Sequence, residues 1–243
     1  MRIVADLHTH TMVSHHALST LDEIMAAAKN AGLKAVAITN HAPGLPDSAH
    51  PWHFRMLENL PDKIHGVRLI RGAEVNIMDP DATLDMSDRD MARMEFIIAS
   101  MHLPVFMPRT AEDHTDIWVK LARHPRVDCL GHLGQKEYPF DYGAVVTACR
   151  DTDTLIEINN NSFSARPGSE VRCKAIAACC AELGAFVVVA SDAHWAGHVG
   201  CVDKALEILR EIDFPEALIL NADFDRLAGW FKRKRGVSLC TSE

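Results

Sequence analysis

Seven short apolar runs, rich in β-branched residues, recur along the chain at residues 2–7, 34–39, 67–73, 95–100, 126–131, 154–158 and 185–190. Each is apolar on both faces. A strand tolerates that only where helices cover it or the sheet closes on itself. Segments of helical pattern lie between most of the runs. Thr20-Leu21-Asp22-Glu23 has the form of a capping box, and Gly32 closes the helix that follows. Ser169 precedes an alanine-rich segment that ends at Gly184, and further helical patterns cover 115–123, 142–150, 202–212 and 223–232. Strand–helix alternation predicts a parallel sheet with helices outside it. The segment 42–65 reads as a long loop carrying prolines, Trp52, His53 and Phe54, and 232–235 as a solvated basic helix end.

The chain has 243 residues, and α/β barrels use about 250 as one unit, so a single domain over 1–243 is expected. A formal net charge of −8 argues against nucleic acid as the primary partner, because that binding rests on Lys and Arg at phosphates. No apolar stretch is long enough for a membrane span, and the N-terminus meets Asp6 too early for a signal peptide. Seven cysteines, Cys129, Cys149, Cys173, Cys179, Cys180, Cys201 and Cys240, form no C-x-x-C pair. They read as reduced thiols, mostly apolar filler, in a cytoplasmic protein.

The polar residues fall at the carboxyl ends of the runs. In order these ends read Asp6-Leu7-His8-Thr9-His10, Thr39-Asn40-His41, Gly72-Ala73-Glu74, Ser100-Met101-His102, Gly131-His132, Glu157-Ile158-Asn159-Asn160-Asn161 and Ser191-Asp192-Ala193-His194. In a parallel barrel all such ends open on one face, so these side chains converge. His8 and His10 are two apart and project to one side of their strand, as do Asp192 and His194. Imidazole suits zinc, manganese and iron, and a carboxylate can bridge two such ions. The candidate ligands exceed what one ion can use. They suit two or three ions that bind phosphate oxygens and activate a water. The remaining histidines, His15, His50, His53, His65, His114, His124 and His198, read as packed or solvated residues, with His53 the one that could touch substrate.

The run Asp6-Leu7-His8-Thr9-His10, then His16, Thr39-Asn40-His41, Glu74, His102, His132 and Asp192-Ala193-His194, resembles the PHP (polymerase and histidinol phosphatase) family. Within it the chain is similar to the bacterial YcdX-type phosphatases, with Trp52-His53-Phe54, Arg71-Gly72-Ala73-Glu74, Ile156-Glu157-Ile158-Asn159-Asn160 and Ser162-Phe163 in common. The resemblance implies a distorted, TIM-barrel-like (β/α)₇ barrel. It also implies three divalent transition-metal ions, zinc foremost, with manganese or iron as alternatives. It assigns His8, His10, Glu74 and Asp192 to one ion, Glu74, His102 and His132 to a second, and His16, His41 and His194 to a third. A homo-oligomer, in the form of a trimer, is implied by the resemblance alone. Two motifs depart from the family pattern: Asn40 stands where an aspartate is usual, and Gly131-His132-Leu133-Gly134 lacks a proline. Asn40 is expected to keep a hydrogen bond that orients a ligand histidine.

The resulting expectation is a metal-dependent phosphatase that cleaves a small phosphorylated substrate, a monoester, with Glu74, Asp192 and His194 as catalytic groups. Arg166 is the expected phosphate clamp, Lys136 a weaker choice, and the helix N-terminus after Arg166-Pro167-Gly168-Ser169 a further anion site. A phosphodiesterase, a nucleotidase, a C–N hydrolase or a histidinol-phosphate phosphatase would use the same scaffold, and a metal-binding module without turnover is the rival of another class.

Overall fold

The strands form in chain order as β1 (Ala5–Thr9), β2 (Ala35–Ile38), β3 (Lys63–Ile64), β4 (Val67–Asn76), β5 (Phe96–Ser100), β6 (Cys129–Leu130), β7 (Leu155–Asn159) and β8 (Val187–Ala190). The computed structural model describes residues 1–239, so Cys240 lies outside the described residues. Seven strands are parallel, in the order β1-β2-β4-β5-β6-β7-β8, and β3 pairs with β4 as an antiparallel hairpin. The longest strand, β4, organises the sheet. Its residues 68–71 pair with β2, and its residues 72–76 pair with β5.

Between β1 and β8 the ladder is reduced to one parallel bridge, Thr9 with Ala193, where His10 N–H donates to Ala193 O at 2.8 Å. Below it a side chain replaces the missing rungs. Asn221 Nδ2 donates to Ala5 O (2.8 Å) and Val189 O (2.7 Å), and its Oδ1 accepts from Val189 N (3.0 Å). The outcome is a distorted seven-stranded barrel of the TIM type, with helices outside.

The helices are α1 (Leu21–Asn30), α2 (Pro51–Met56), α3 (Asp88–Met91), α4 (Ala111–Ala122), α5 (Tyr142–Thr152), α6 (Ser162–Ala165), α7 (Ser169–Leu183), α8 (Asp203–Glu211) and α9 (Phe224–Arg235). None of them is long and apolar enough to cross a membrane among the described residues. The capping box read at Thr20 is formed, and a second one joins Thr110 to Asp113, so α4 begins before the expected residue 115. Gly168, in the left-handed region at φ 84°, caps α7, and Ser169 is its first residue. The supposed loop 42–65 contains α2 and β3, because Pro51 at the first turn starts a helix that apolar periodicity was too short to reveal.

Alternation along the strands sorts two cores. Ala5, Leu7, Ala37, Ile70, Phe96, Ile98, Leu155 and Val188 fill the barrel with Leu227, Trp230 and Phe231 of α9, which plugs its amino end. The intervening Val75, Ile97, Leu130, Ile156 and Val189 belong to the layer under the helices. Cys129, Cys149, Cys173 and Cys180 are buried free thiols, as read, whereas Cys201 is exposed.

Above the apolar floor the inward positions become small. A Cβ on Gly131 would collide with Ser100 Oγ, and one on Gly72 would lie 2.8 Å from Phe96 O. The register of β1 also shifts here: Asp6 pairs with Val36 and Thr9 with Ile38, three residues spanning two. This bulge lets Leu7 join the apolar interior while His8 and His10, of opposite parity, turn into the mouth.

The basic end of α9 is not simply solvated. Arg235 Nε donates to Asp128 Oδ1 (2.7 Å) and Oδ2 (2.9 Å), and Lys234 Nζ donates to Thr152 O (2.6 Å). Asp128, fully buried, also accepts from Ile97 N (2.8 Å), so the plug is pinned to the barrel floor. Asp128→Ala would strand a buried guanidinium and is expected to cost about 3–5 kcal/mol. Urea unfolding measures this, and a loss under about 1 kcal/mol, the size of an exposed pair, would contradict it.

Candidate metal centre

Glu74 sits inside the mouth, fully buried, and five imidazoles face its carboxylate. His8 Nε2 (3.5 Å), His10 Nε2 (3.6 Å) and His41 Nδ1 (2.7 Å) approach Oε2. His102 Nε2 (3.4 Å) and His132 Nε2 (2.9 Å) approach Oε1. Asp192 lies opposite, its Oδ1 3.3 Å from His10 Nε2 and 3.6 Å from His8 Nε2. His194 stacks on His10 at 4.3 Å between ring centroids and on His16 at 4.4 Å. All nine residues predicted as ligands thus gather at one end of the barrel. His16 is the outermost, half exposed, its Nδ1 held by Asp47.

Three sets bring ligand atoms within 4.8 Å of one another: His8, His10 and Glu74; His41, Glu74 and His102; and His10, His41 and His194. In this grouping His41 joins His102 as well as His194, and His16, His132 and Asp192 belong to no set. Several atoms lack a hydrogen-bond partner although buried, namely His8 Nε2, both nitrogens of His10, His41 Nδ1, Glu74 Oε2 and His194 Nε2. Buried polar atoms are rarely left so, and here they face one another.

Electrostatics follows from burial opposed by neighbours. Burial raises the Glu74 carboxyl, but His8, His102 and His41 outweigh it and hold the group well below the usual range. Asp192 is likewise held low against its burial, by His8, His10 and Arg166. Burial and His41 pull His10 well below its ordinary value, so its ring is neutral. Burial lowers His132 to about 4, with Arg166 acting in the same sense. Two residues here, His132 (φ 32°) and Asp192 (φ 55°), hold left-handed backbone, which costs about 1–3 kcal/mol each and is typical of functional sites.

Surrounding groups fix the rings. Glu157 Oε1 accepts from His8 Nδ1 (2.7 Å) and its Oε2 accepts from His132 N (2.7 Å), so His8 turns Nε2 to the mouth; against its burial, Glu157, Asp192 and Glu74 hold that ring well above its ordinary value. Asn76 Oδ1 does the same for His102 Nδ1 (2.7 Å) and is itself held through Nδ2 by Asp85 Oδ2 (2.6 Å). His194 Nδ1 donates to Asp192 O (2.9 Å). His132 differs: Gln135 Nε2 donates to its Nδ1 (2.7 Å) and to Met101 O (2.9 Å), so the neutral ring carries its proton on Nε2, toward Glu74. Ligation through that atom requires the proton to move to Nδ1 and Gln135 to turn. Asn159 Nδ2 supports Asp192 Oδ2 at 3.1 Å.

Asn40 does not orient a ligand ring, contrary to expectation. Its Oδ1 accepts from Thr11 N (2.8 Å) and Ser14 Oγ (3.1 Å), and Nδ2 contacts His53 Nε2 (3.2 Å). It shapes the turn that carries His16 instead, and it draws His53 behind β2, away from the cavity. The cavity above Glu74 measures about 630 Å³ and is lined by His16, His41, His102, Arg166, Asp192 and His194 among others. His198, read as bland, also lines it, whereas Lys136 is exposed and pairs with Glu137 at 3.8 Å. Arg166 Nη1 donates to Ser162 Oγ (3.1 Å) and lies 3.6 Å from Asp192 Oδ2.

Asn76 and Glu157 were assigned no role from sequence, although a spacing of two from Glu74 and Leu155 on their strands is a signal that could have found them. Gln135, Asp47 and Asp85 come from loops, and no local pattern announces them.

The chain matches the PHP domain over residues 6–159. A "probable phosphatase" of Acetivibrio thermocellus is 37% identical over 235 residues, covering 97% of this chain and 98% of that protein. One from Shewanella oneidensis is 40% identical over 222 residues, covering 91% and 88%. Among solved structures, a histidinol phosphate phosphatase of Lactococcus lactis, complexed with zinc, L-histidinol and phosphate, superposes with a TM-score of 0.63 at 17% identity, over 88% of this chain and 95% of that one. Similarity that spans nearly the whole chain places this protein, with its barrel mouth of histidines and carboxylates, in the PHP-domain family beside relatives named as probable phosphatases.

Proposed function

We propose that this protein is a metal-dependent phosphatase acting on phosphate monoesters at a site for three divalent transition-metal ions, zinc foremost. The observation that carries the reading is Glu74, a buried carboxylate with two oxygens facing two different sets of imidazoles. Its geometry suits a bridge. His8, His10, Glu74 and Asp192 would hold one ion, Glu74, His102 and His132 a second, and His16, His41 and His194 a third. The unpartnered ring nitrogens and Glu74 Oε2 fit this use, because buried ring nitrogens turned toward one another gain nothing until a cation lies between them. Bound there, such ions supply positive charge for phosphate oxygens and for the water that displaces the alcohol.

The remaining work falls to this chain's own groups. Glu74, Asp192 and His194 line the cavity and are the proposed catalytic residues. Glu74 and Asp192 stay ionised, for the reasons given above, and so keep the mouth negative and attractive to cations. His194, with Nδ1 committed to Asp192 O, keeps Nε2 bare toward the reacting face. Arg166 is poised at the cavity wall, and both its contacts run through Nη1. Its planar fork can grip two phosphate oxygens. The names of the relatives and the zinc and phosphate of the Lactococcus structure support the same chemistry.

Purified protein should carry about two to three transition-metal ions per chain by elemental analysis, in line with the ligand supply. It should hydrolyse a generic aryl phosphate, and a chelator should abolish that hydrolysis. Protein loaded with metal yet inert toward every monoester would sink the phosphatase reading. Glu74→Ala should lower kcat/KM by more than about a hundredfold, above the 10–100-fold typical of an outer partner, and by more than His16→Ala does. Equal losses at the two positions would count against the bridge. Glu157→Gln should weaken metal affinity by about 10–100-fold in a chelator competition, and an unchanged affinity would show that orientation of His8 does not depend on that carboxylate.

A further inference from the structure

The lip of the cavity differs in character from its floor. Leu18, Leu103 and Trp195 stand there 76%, 46% and 51% exposed, beside Leu45 and Pro104. Large apolar side chains left in water around a polar centre mark a surface that something covers. They are also held in place. Leu18 N donates to His194 O (2.7 Å), and Ala196 N donates to Ser19 Oγ (3.0 Å), which ties the two lip segments together. The Trp195 indole lies against Gly197, where a Cβ would sit 2.5 Å from ring carbons, and meets His198 edge-on at 5.2 Å.

Two polar side chains nearby, Gln135 and Asn161, are already engaged, and the exposed His198 stands beside Trp195. Gln135 bonds Met101 O and His132, and Asn161 Nδ2 donates to Asp192 Oδ2 (3.4 Å). Arg166 is the one Lys or Arg side chain lining the cavity among the described residues, enough for one phosphoryl group and not two.

From this we infer that the substrate is a single phosphate monoester of an apolar, ring-bearing alcohol, whose ring is received by Trp195 with Leu18 and Leu103. The inference rests on the monoester phosphatase reading and narrows its substrate class. A sugar or glycerol phosphate would turn most of its hydroxyls toward leucine and indole, and a dinucleotide would bring a second phosphate that no second Lys or Arg of the cavity lining awaits. The ring would instead bury apolar surface and stack on the indole.

The test compares 2-phenylethyl phosphate with glycerol 3-phosphate, both esters of alkyl alcohols, on the metal-loaded enzyme. The kcat/KM ratio should favour the phenyl ester by at least about tenfold, equivalent to about 1.4 kcal/mol. Trp195→Ala should bring the ratio near unity, chiefly through KM, and Trp195→Phe should retain most of it. Calorimetric binding of 2-phenylethylphosphonate against methylphosphonate gives a readout independent of turnover, with the same expected preference. Hydrolysis of both esters at a ratio near one, or a preference untouched by Trp195→Ala, overturns the inference. A phosphonate preference without hydrolysis of any ester supports the apolar subsite while overturning the phosphatase reading.

Discussion

A carboxylate buried among imidazoles is unstable in isolation, because each group lost its water and none alone restores it. Glu74 stands in that position, and much of the mouth is arranged around it. The long β4 delivers it to the barrel centre, Gly72 and Gly131 make room beneath it, and the bulge in β1 turns His8 and His10 toward it. The left-handed backbone of His132 and Asp192 is a further cost that the surrounding hydrogen bonds sustain. Such an arrangement is comprehensible as a cradle for cations, whose charge reconciles the converging donors.

The fold was largely legible because its signal is local. Apolar runs of strand length with helices between them state a parallel sheet, and ligand-type residues after those runs state which end is functional. What escaped was set by distance in sequence. The barrel seam depends on Asn221 bridging Ala5 and Val189, a contact that no window of adjacent residues contains. The short α2 and β3 were hidden in a supposed loop because six and two residues are too few to display a period. The basic end of α9 looked solvated because its partner, Asp128, lies 107 residues away.

The same division holds within the site. Eight of the nine candidate ligands announced themselves by type and position at strand ends and His16 only through the family resemblance, whereas the groups that aim them were given no role. Glu157 lies in an ordinary apolar strand run that reveals no partner for it, yet its two oxygens serve His8 and the backbone of His132. Asn40 was read as a support for a ligand ring, yet hydrogen-bond direction assigns it to Thr11 and Ser14. Orientation of a ligand is a property of the packed structure, since a ring's tautomer depends on which acceptor meets its far nitrogen.

The central claim is that Glu74 joins two ions, one through each carboxylate oxygen. Anomalous diffraction from zinc-loaded crystals measured on both sides of the zinc absorption edge tests it directly. The account predicts two peaks flanking Glu74, with Oε2 toward the ion among His8, His10 and Asp192 and Oε1 toward the ion at His102 and His132. A single peak bound by Glu74 through both oxygens, or peaks with Glu74 turned away from them, would contradict it.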